Sequence, residues 1–201
     1  MKVAVLASGR GSNLRALLDM VHGREVEIVA VASDRADAPA LEAAQAAGVA
    51  TMVFPLADHP DRAARDAAIA AWLDERGAEL VVLAGYMALL DSSFIGHFPD
   101  RIVNVHPSLL PAFPGVRAIE QALDYGVRVT GVTVHLVDAG LDTGPVLLQR
   151  AVAVPPGVDA EGLYAVIQPV EHELLPDAVR LLARGAVRRD PANPRALIVD
   201  A

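Results

Sequence analysis

A chain of 201 residues with no cysteine and a formal net charge of -8 is long enough for one sizeable core, and several function classes are closed to it. Disulfide frameworks and thiolate zinc sites are out, and an acidic balance opposes nucleic-acid binding, which needs basic surface to displace counterions around phosphates. No apolar run reaches the roughly 18 residues of a membrane span. Met1-Lys2 leads straight into a strand-like run rather than a leader, so the expectation is a soluble, cytoplasmic protein.

The first run, "KVAVLAS" (Lys2 to Ser8), is continuously apolar, as in a strand covered on both faces. It ends in "GRGSN" and passes into "LRALLDMV", apolar at helical spacing. "VEIVAVASD" repeats the strand signal, the alanine-rich "APALEAAQAAG" reads as a helix, and "ATMVF" as a third strand. "DRAARDAAIAAWLDERG" is a helix with Ala64, Ile69, Trp72 and Leu73 on one side and a stop at Gly77. "AELVVLAGYM" and "RIVNV" are the fourth and fifth strands.

Such alternation implies a parallel sheet with right-handed crossovers. After Pro114 the rhythm changes. "AIEQALDYG" is a short helix, and "VRVTGVTVHLV" and "GPVLLQRAVAV" are strands separated only by a loop, which allows antiparallel pairing. "DAEGLYAVIQPVEHELLPDAVRLLARG" is a long helix in which Pro169 is expected to cause a kink or a delayed start. The tail "RRDPANPRALIVD" is turn-rich with room for a last strand. No repeat or linker divides residues 1–201, so a single domain is expected, with halves of about 1–100 and 101–201.

Two places carry candidate chemistry. In "VLASGRGSNLRALL" a strand ends, Gly9 and Gly11 bracket Arg10, and a helix starts near Ser12 or Asn13. The unpaired N–H groups and dipole of a helix start favour an anion, and glycines let the backbone approach a phosphate closely. A plain N-capped turn uses the same residues. Leu14 stands where a dinucleotide fingerprint needs its third glycine, and no Gly-Lys-Ser/Thr follows, so neither nucleotide motif is complete.

In "RIVNVH" Asn104 and His106 are two apart and project to one side at the carboxyl end of a strand, where open α/β sheets bind ligands. A satisfied structural Asn–His pair is the competing reading. "HLVDAGLDTGPV" adds Asp138 and Asp142 in a glycine-containing loop. A carboxylate beside His106 is expected to raise its pKa, and Asn104 can donate to a developing oxyanion. Amide, imidazole and carboxylate together suit acyl transfer to an amine without a covalent intermediate. Ser108, within "HPSLLP", reads as a turn residue. The histidines show no metal-ligand spacing, and His172 in "EHELL" has no companion ligands, so no metal is expected.

"NVHPSLLPAFPG" followed by "GVTVHLVDAGLDTGPVLLQ" resembles the catalytic core of the folate-dependent formyltransferases, with Asn104, His106 and Asp142 on that family's Asn–His–Asp triad. The N-terminal "VLASGRGSNLRALL" narrows the resemblance to members that formylate phosphoribosylglycinamide in de novo purine synthesis. It runs from residue 1 to about residue 185. It implies a Rossmann-like, three-layer αβα fold, with a mostly parallel central sheet and antiparallel strands added in the C-terminal part. It also implies 10-formyltetrahydrofolate as co-substrate, no metal, small-molecule partners only, and a monomer or homodimer.

The resemblance further places the substrate phosphate on Gly11, Ser12 and Asn13, and its ribose and glycinamide end on Gln168 and Glu171. The folate falls to Arg62, to Met87, Ala88, Leu89 and Leu90, to Asn104, and to the loop Asp138, Ala139, Gly140, Leu141 and Asp142. Ala88 stands where relatives often carry a basic residue. Val116-Arg117 replaces a small residue and a histidine. Formyltetrahydrofolate hydrolases share the core but add an N-terminal domain, and a non-enzymatic phosphoribosyl-ligand binder would not need the triad.

Overall fold

The computed structural model describes residues 1–200. The chain divides into two compact units, Met1–Val103 and the residues from Asn104 onward.

In the first unit the strands are β1 (Lys2–Leu6), β2 (Glu27–Ser33), β3 (Ala50–Val53) and β4 (Leu80–Leu83). β1 pairs in parallel with both β2 and β4, and β2 with β3. Val3, Ala4, Val5 and Leu6 are fully buried, as are Val81 and Val82. Continuous apolar runs were the signal for strands covered on both faces, and that is what they form. The helices α1 (Ser12–Met20), α2 (Pro39–Ala46) and α3 (Arg62–Glu75) alternate with these strands. α3 starts where the Asp61 carboxylate accepts the Ala64 N–H at 2.8 Å, and it ends before Gly77, whose φ of 69° continues no helix. Ile69, Trp72 and Leu73 face the core, with Trp72 edge-on to Phe54.

Sequence periodicity missed α4 (Ser92–His97). Six residues are too few to show a helical stripe. Asp91 caps it by accepting the Ser93 N–H, and Phe94 stacks obliquely on Phe98, both rings buried.

The unit boundary falls within β5 (Ile102–His106). The second unit continues with α5 (Ala118–Tyr125), then β6 (Val129–Leu136) and β7 (Val146–Ala153), paired antiparallel as expected, with an irregularity between Val134 and His135. α6 (Ala160–Ala183) packs against β6 and β7. Its start is not delayed. Asp159 accepts the Gly162 N–H, and the helix runs on through Pro169 and Pro176. Each proline removes one backbone bond, but Leu163, Ile167, Leu174, Leu175, Ala178 and Val179 bury one continuous face. Packing of that face outweighs the lost bonds. The tail forms two strands rather than one, β8 (Val187–Asp190) and β9 (Asn193–Val199), joined by a turn in which Asp190 accepts the Ala192 N–H.

Among the described residues no helix is long and apolar enough to cross a membrane, and no cluster of three or more His, Asp or Glu side chains is arranged to hold a metal ion.

Candidate active site

Gly11 is the N-cap of α1 and has φ 73°, a conformation that L side chains rarely adopt. A Cβ there would lie 2.8 Å from both Cα and Cβ of Ala40, so the close approach of α1 and α2 also requires glycine. The N-cap glycine offers this helix no side-chain cap. Ser12 is half-buried and Asn13 buried beside it. The loop is thus an N-terminus without its own cap, on which an anion is electrostatically favoured.

In the second unit the expected triad converges. His106 Nε2 lies 2.8 Å from the Phe113 carbonyl, which can only accept, so the Nε2 proton is committed there. This leaves Nδ1 facing Asp142 Oδ2 at 3.4 Å. The other carboxylate oxygen lies 3.5 Å from Nε2 of His135. His135 donates from Nδ1 to the Leu136 carbonyl at 2.9 Å, and its Nε2 accepts from the Asn104 amide nitrogen at 3.2 Å. One N–H of Asn104 is thereby used to orient it, and the second is left to donate elsewhere.

Asp142 itself has φ 52°, uncommon for a residue with a side chain. Its surroundings hold it there. The Gly115 N–H donates to Oδ2 at 2.7 Å. Asp138 Oδ1 accepts from the Gly140 N–H and from the Thr143 hydroxyl, tying the loop to itself. Gly144 has no room for a Cβ, which would lie 1.8 Å from the Leu136 carbonyl oxygen. The β8–β9 hairpin reaches back to this loop, with Arg195 donating to the Thr143 carbonyl at 3.2 Å. A mostly apolar cavity of about 360 Å³ opens here, lined by Leu110, Pro114, Leu141, Asp142, Val146 and Arg195 among others.

The electrostatics differ from the expectation in one respect. Asp142 does act to raise the pKa of His106, but burial disfavours the imidazolium by more, and the net shift is downward. Burial likewise pushes the Asp142 carboxyl up, yet the nearby His135 ring, the Gly115 N–H and the His106 ring outweigh it and hold it below its ordinary value. The pair therefore rests as imidazole and carboxylate, poised for proton uptake by the histidine.

Of the other expected residues, Glu171 is buried and Gln168 half-buried, one helical turn apart on α6, with Gln168 donating to the Tyr164 hydroxyl. Met87 and Leu89 project outward from the segment after β4, and Ala88 and Leu90 are half-buried. Arg62 is exposed on the first turn of α3 and lends positive charge to Asp91. Ala139, Gly140 and Leu141 form the exposed crest of the Asp142 loop, and Arg117 is exposed, 3.7 Å from Glu120. Ser108 is fully buried and donates to the Ala112 carbonyl, as suits a turn residue. Sequence reasoning passed over His135. A lone histidine in the buried stretch of a strand reads as core, and only its contact with Asn104 gives it away.

Residues 1–179 match the formyl transferase family model. The chain belongs to the formyl transferase family. The phosphoribosylglycinamide formyltransferase of Mycobacterium tuberculosis is 49% identical over 187 residues, covering 92% of this chain and 86% of its own. The crystal structure of glycinamide ribonucleotide transformylase 1 from Symbiobacterium toebii superimposes with a TM-score of 0.95 at 45% identity, covering 100% of this chain and 94% of that one. A formyltetrahydrofolate deformylase from Pseudomonas syringae has the same fold at 25% identity and TM-score 0.90, this chain covering 66% of its length. The fold read from the sequence is thus the formyl transferase fold, with mostly parallel strands, flanking helices and an antiparallel addition late in the chain. The β8–β9 hairpin of this formyl transferase lies beyond the matched segment.

Proposed function

We propose that the chain transfers the formyl group of 10-formyltetrahydrofolate to the amine of 5′-phosphoribosylglycinamide. The products are phosphoribosyl-N-formylglycinamide and tetrahydrofolate, a step of de novo purine (IMP) synthesis. The observation that carries the proposal is Asp142 set between two imidazoles, one of which holds Asn104, in a chain of this family.

The chemistry follows from the resting protonation. The neutral amine attacks the formyl carbon, a C–N bond forms, and the formyl oxygen takes on negative charge. The free N–H of Asn104 donates to that oxygen. His106 takes the proton lost by the amine on Nδ1, the nitrogen that Phe113 leaves open, and the new imidazolium is met by Asp142. The same proton passes to N10 as the C–N10 bond breaks, so atoms and charge balance without a covalent enzyme intermediate. The uncapped α1 terminus at Gly11, Ser12 and Asn13 receives the phosphate, and Gln168 and Glu171 bind the ribose and glycinamide end. Arg62, residues 87–90 and the Asp138–Asp142 loop take the folate.

The deformylase likeness favours one second reading, in which water replaces the amine. Incubating purified protein with 10-formyltetrahydrofolate, with and without phosphoribosylglycinamide, separates the two. Tetrahydrofolate release that requires the amine supports transfer. Release at the same rate in its absence refutes it.

A further inference from the structure

The segment after β4 presents Met87 and Leu89 to solvent, 71% and 59% exposed, yet the backbone beneath them is anchored at three points. The Met87 N–H donates to the Ser8 hydroxyl at 2.8 Å. The Leu89 carbonyl accepts from Arg65 Nη2 at 2.9 Å, and the Asp91 N–H donates to Asp66 Oδ2 at 2.6 Å. Arg65 and Asp66 are themselves an ion pair, with Arg65 Nε 2.7 Å from Asp66 Oδ1 and side chains 3% and 0% exposed. Two adjacent residues of α3 thus grip the peptide groups on either side of Leu90, one through a cation and one through an anion.

Tertiary stability alone does not call for this arrangement. A buried ion pair is often no more stabilising than apolar side chains of similar volume, because both charges must leave water. What the pair supplies is fixed geometry: a carbonyl and an N–H held in place while the Met87 and Leu89 side chains stay uncovered. We propose that Arg65 and Asp66 are positioning residues for the folate-binding segment, setting the affinity for the pterin-bearing co-substrate by immobilising the Leu89–Asp91 backbone. A flat heterocycle with amide and amino groups needs main-chain donors and acceptors already in register, and ordering them on binding would weaken it. The inference rests on the proposed assignment of residues 87–90 to the folate.

The test is the double variant Arg65→Met with Asp66→Leu, which removes both charges together and so leaves no orphaned ion, alongside Arg65→Lys, which keeps the charge but loses the fork. In the folded double variant the KM for 10-formyltetrahydrofolate should rise about tenfold, that for phosphoribosylglycinamide should stay within about twofold, and amide exchange at Asp91 should accelerate. Arg65→Lys should fall between wild type and double variant. An unchanged donor KM, or equal rises in both KM values, overturns the positioning role. A wild-type protein with no turnover on this donor would instead overturn the functional assignment, and Asp91 exchange would still report whether the pair anchors the segment.

Discussion

Replacing Asp142 by asparagine isolates the charge from the geometry. Asparagine tolerates the left-handed φ of 52° better than most residues, and its amide oxygen can still accept the Gly115 N–H. What disappears is the negative charge 3.4 Å from His106 Nδ1, on a side chain only 11% exposed. An opposite charge at such a distance is worth about 1–3 pKa units to an imidazole, or about 1.4–4 kcal/mol of imidazolium stabilisation. If His106 becomes charged in the tetrahedral intermediate, that energy is withdrawn from the rate-determining region. The kcat should then fall about 10- to 1,000-fold, with little change in KM for either substrate. Steady-state kinetics gives the rate, and NMR titration of the His106 ring gives the cause: its pKa should move further down. A kcat within about twofold of wild type, or a His106 titration that does not move, would show that the Asp142 charge does not act through His106.

Other outcomes follow from the same geometry. Because burial depresses the His106 pKa below 6.5, kcat/KM should stay level through neutral pH and fall only below that ordinary value, and a pH–rate profile checks this. The depressed histidine also makes the unfolded chain bind more protons, so its effect on stability appears as a loss when pH drops below 6.5 toward the folded value. Asp142 adds a second loss below 3.8, and melting curves across pH would show both. Gly11→Ala should cost about 1–3 kcal/mol through positive φ and overlap with Ala40, seen as a lower Tm and a higher KM for the phosphorylated substrate. His135→Phe should lower kcat more than KM, since it strips a partner from Asn104 and from Asp142 in a buried site, and leaving such a group unsatisfied costs about 1–3 kcal/mol. Unaltered kcat would remove its role in orienting the amide.

The strands and long helices were legible because each had a single dominant period. β1 after Lys2, β2 between Glu27 and Ser33, and all of β4 are apolar, and α3 repeats its large side chains at Ile69, Trp72 and Leu73. Pattern failed where structure depends on few residues or on partners distant in sequence. α4 is held by one cap and two phenylalanines, and the β8–β9 hairpin by its Asx turns. Placing Asn104 and His106 on one side needed only the two-residue period of a strand, whereas Asp142 came from the resemblance as much as from its loop. His135 was invisible, since nothing in "TVHLV" shows that its ring faces Asn104. Nothing in the linear pattern marks Arg65 and Asp66 as buried, and only the backbone groups they meet 24 and 25 residues later explain their burial. The direction of the His106 shift depended on how deeply the ring sits, which a linear pattern does not encode.

In the proposed reaction an amide, an imidazole and a carboxylate pass a one-carbon unit from a folate nitrogen to an amine. A ¹³C-labelled formyl group followed by NMR reports that transfer at the reacting atom, with wild type and His106→Ala run in parallel on 10-formyltetrahydrofolate and phosphoribosylglycinamide. The label should move to the glycinamide nitrogen in the wild type and stay on the donor in the variant. Label recovered as formate would rule out transfer to the amine, and label moved equally fast by both proteins would rule out His106 as the proton carrier.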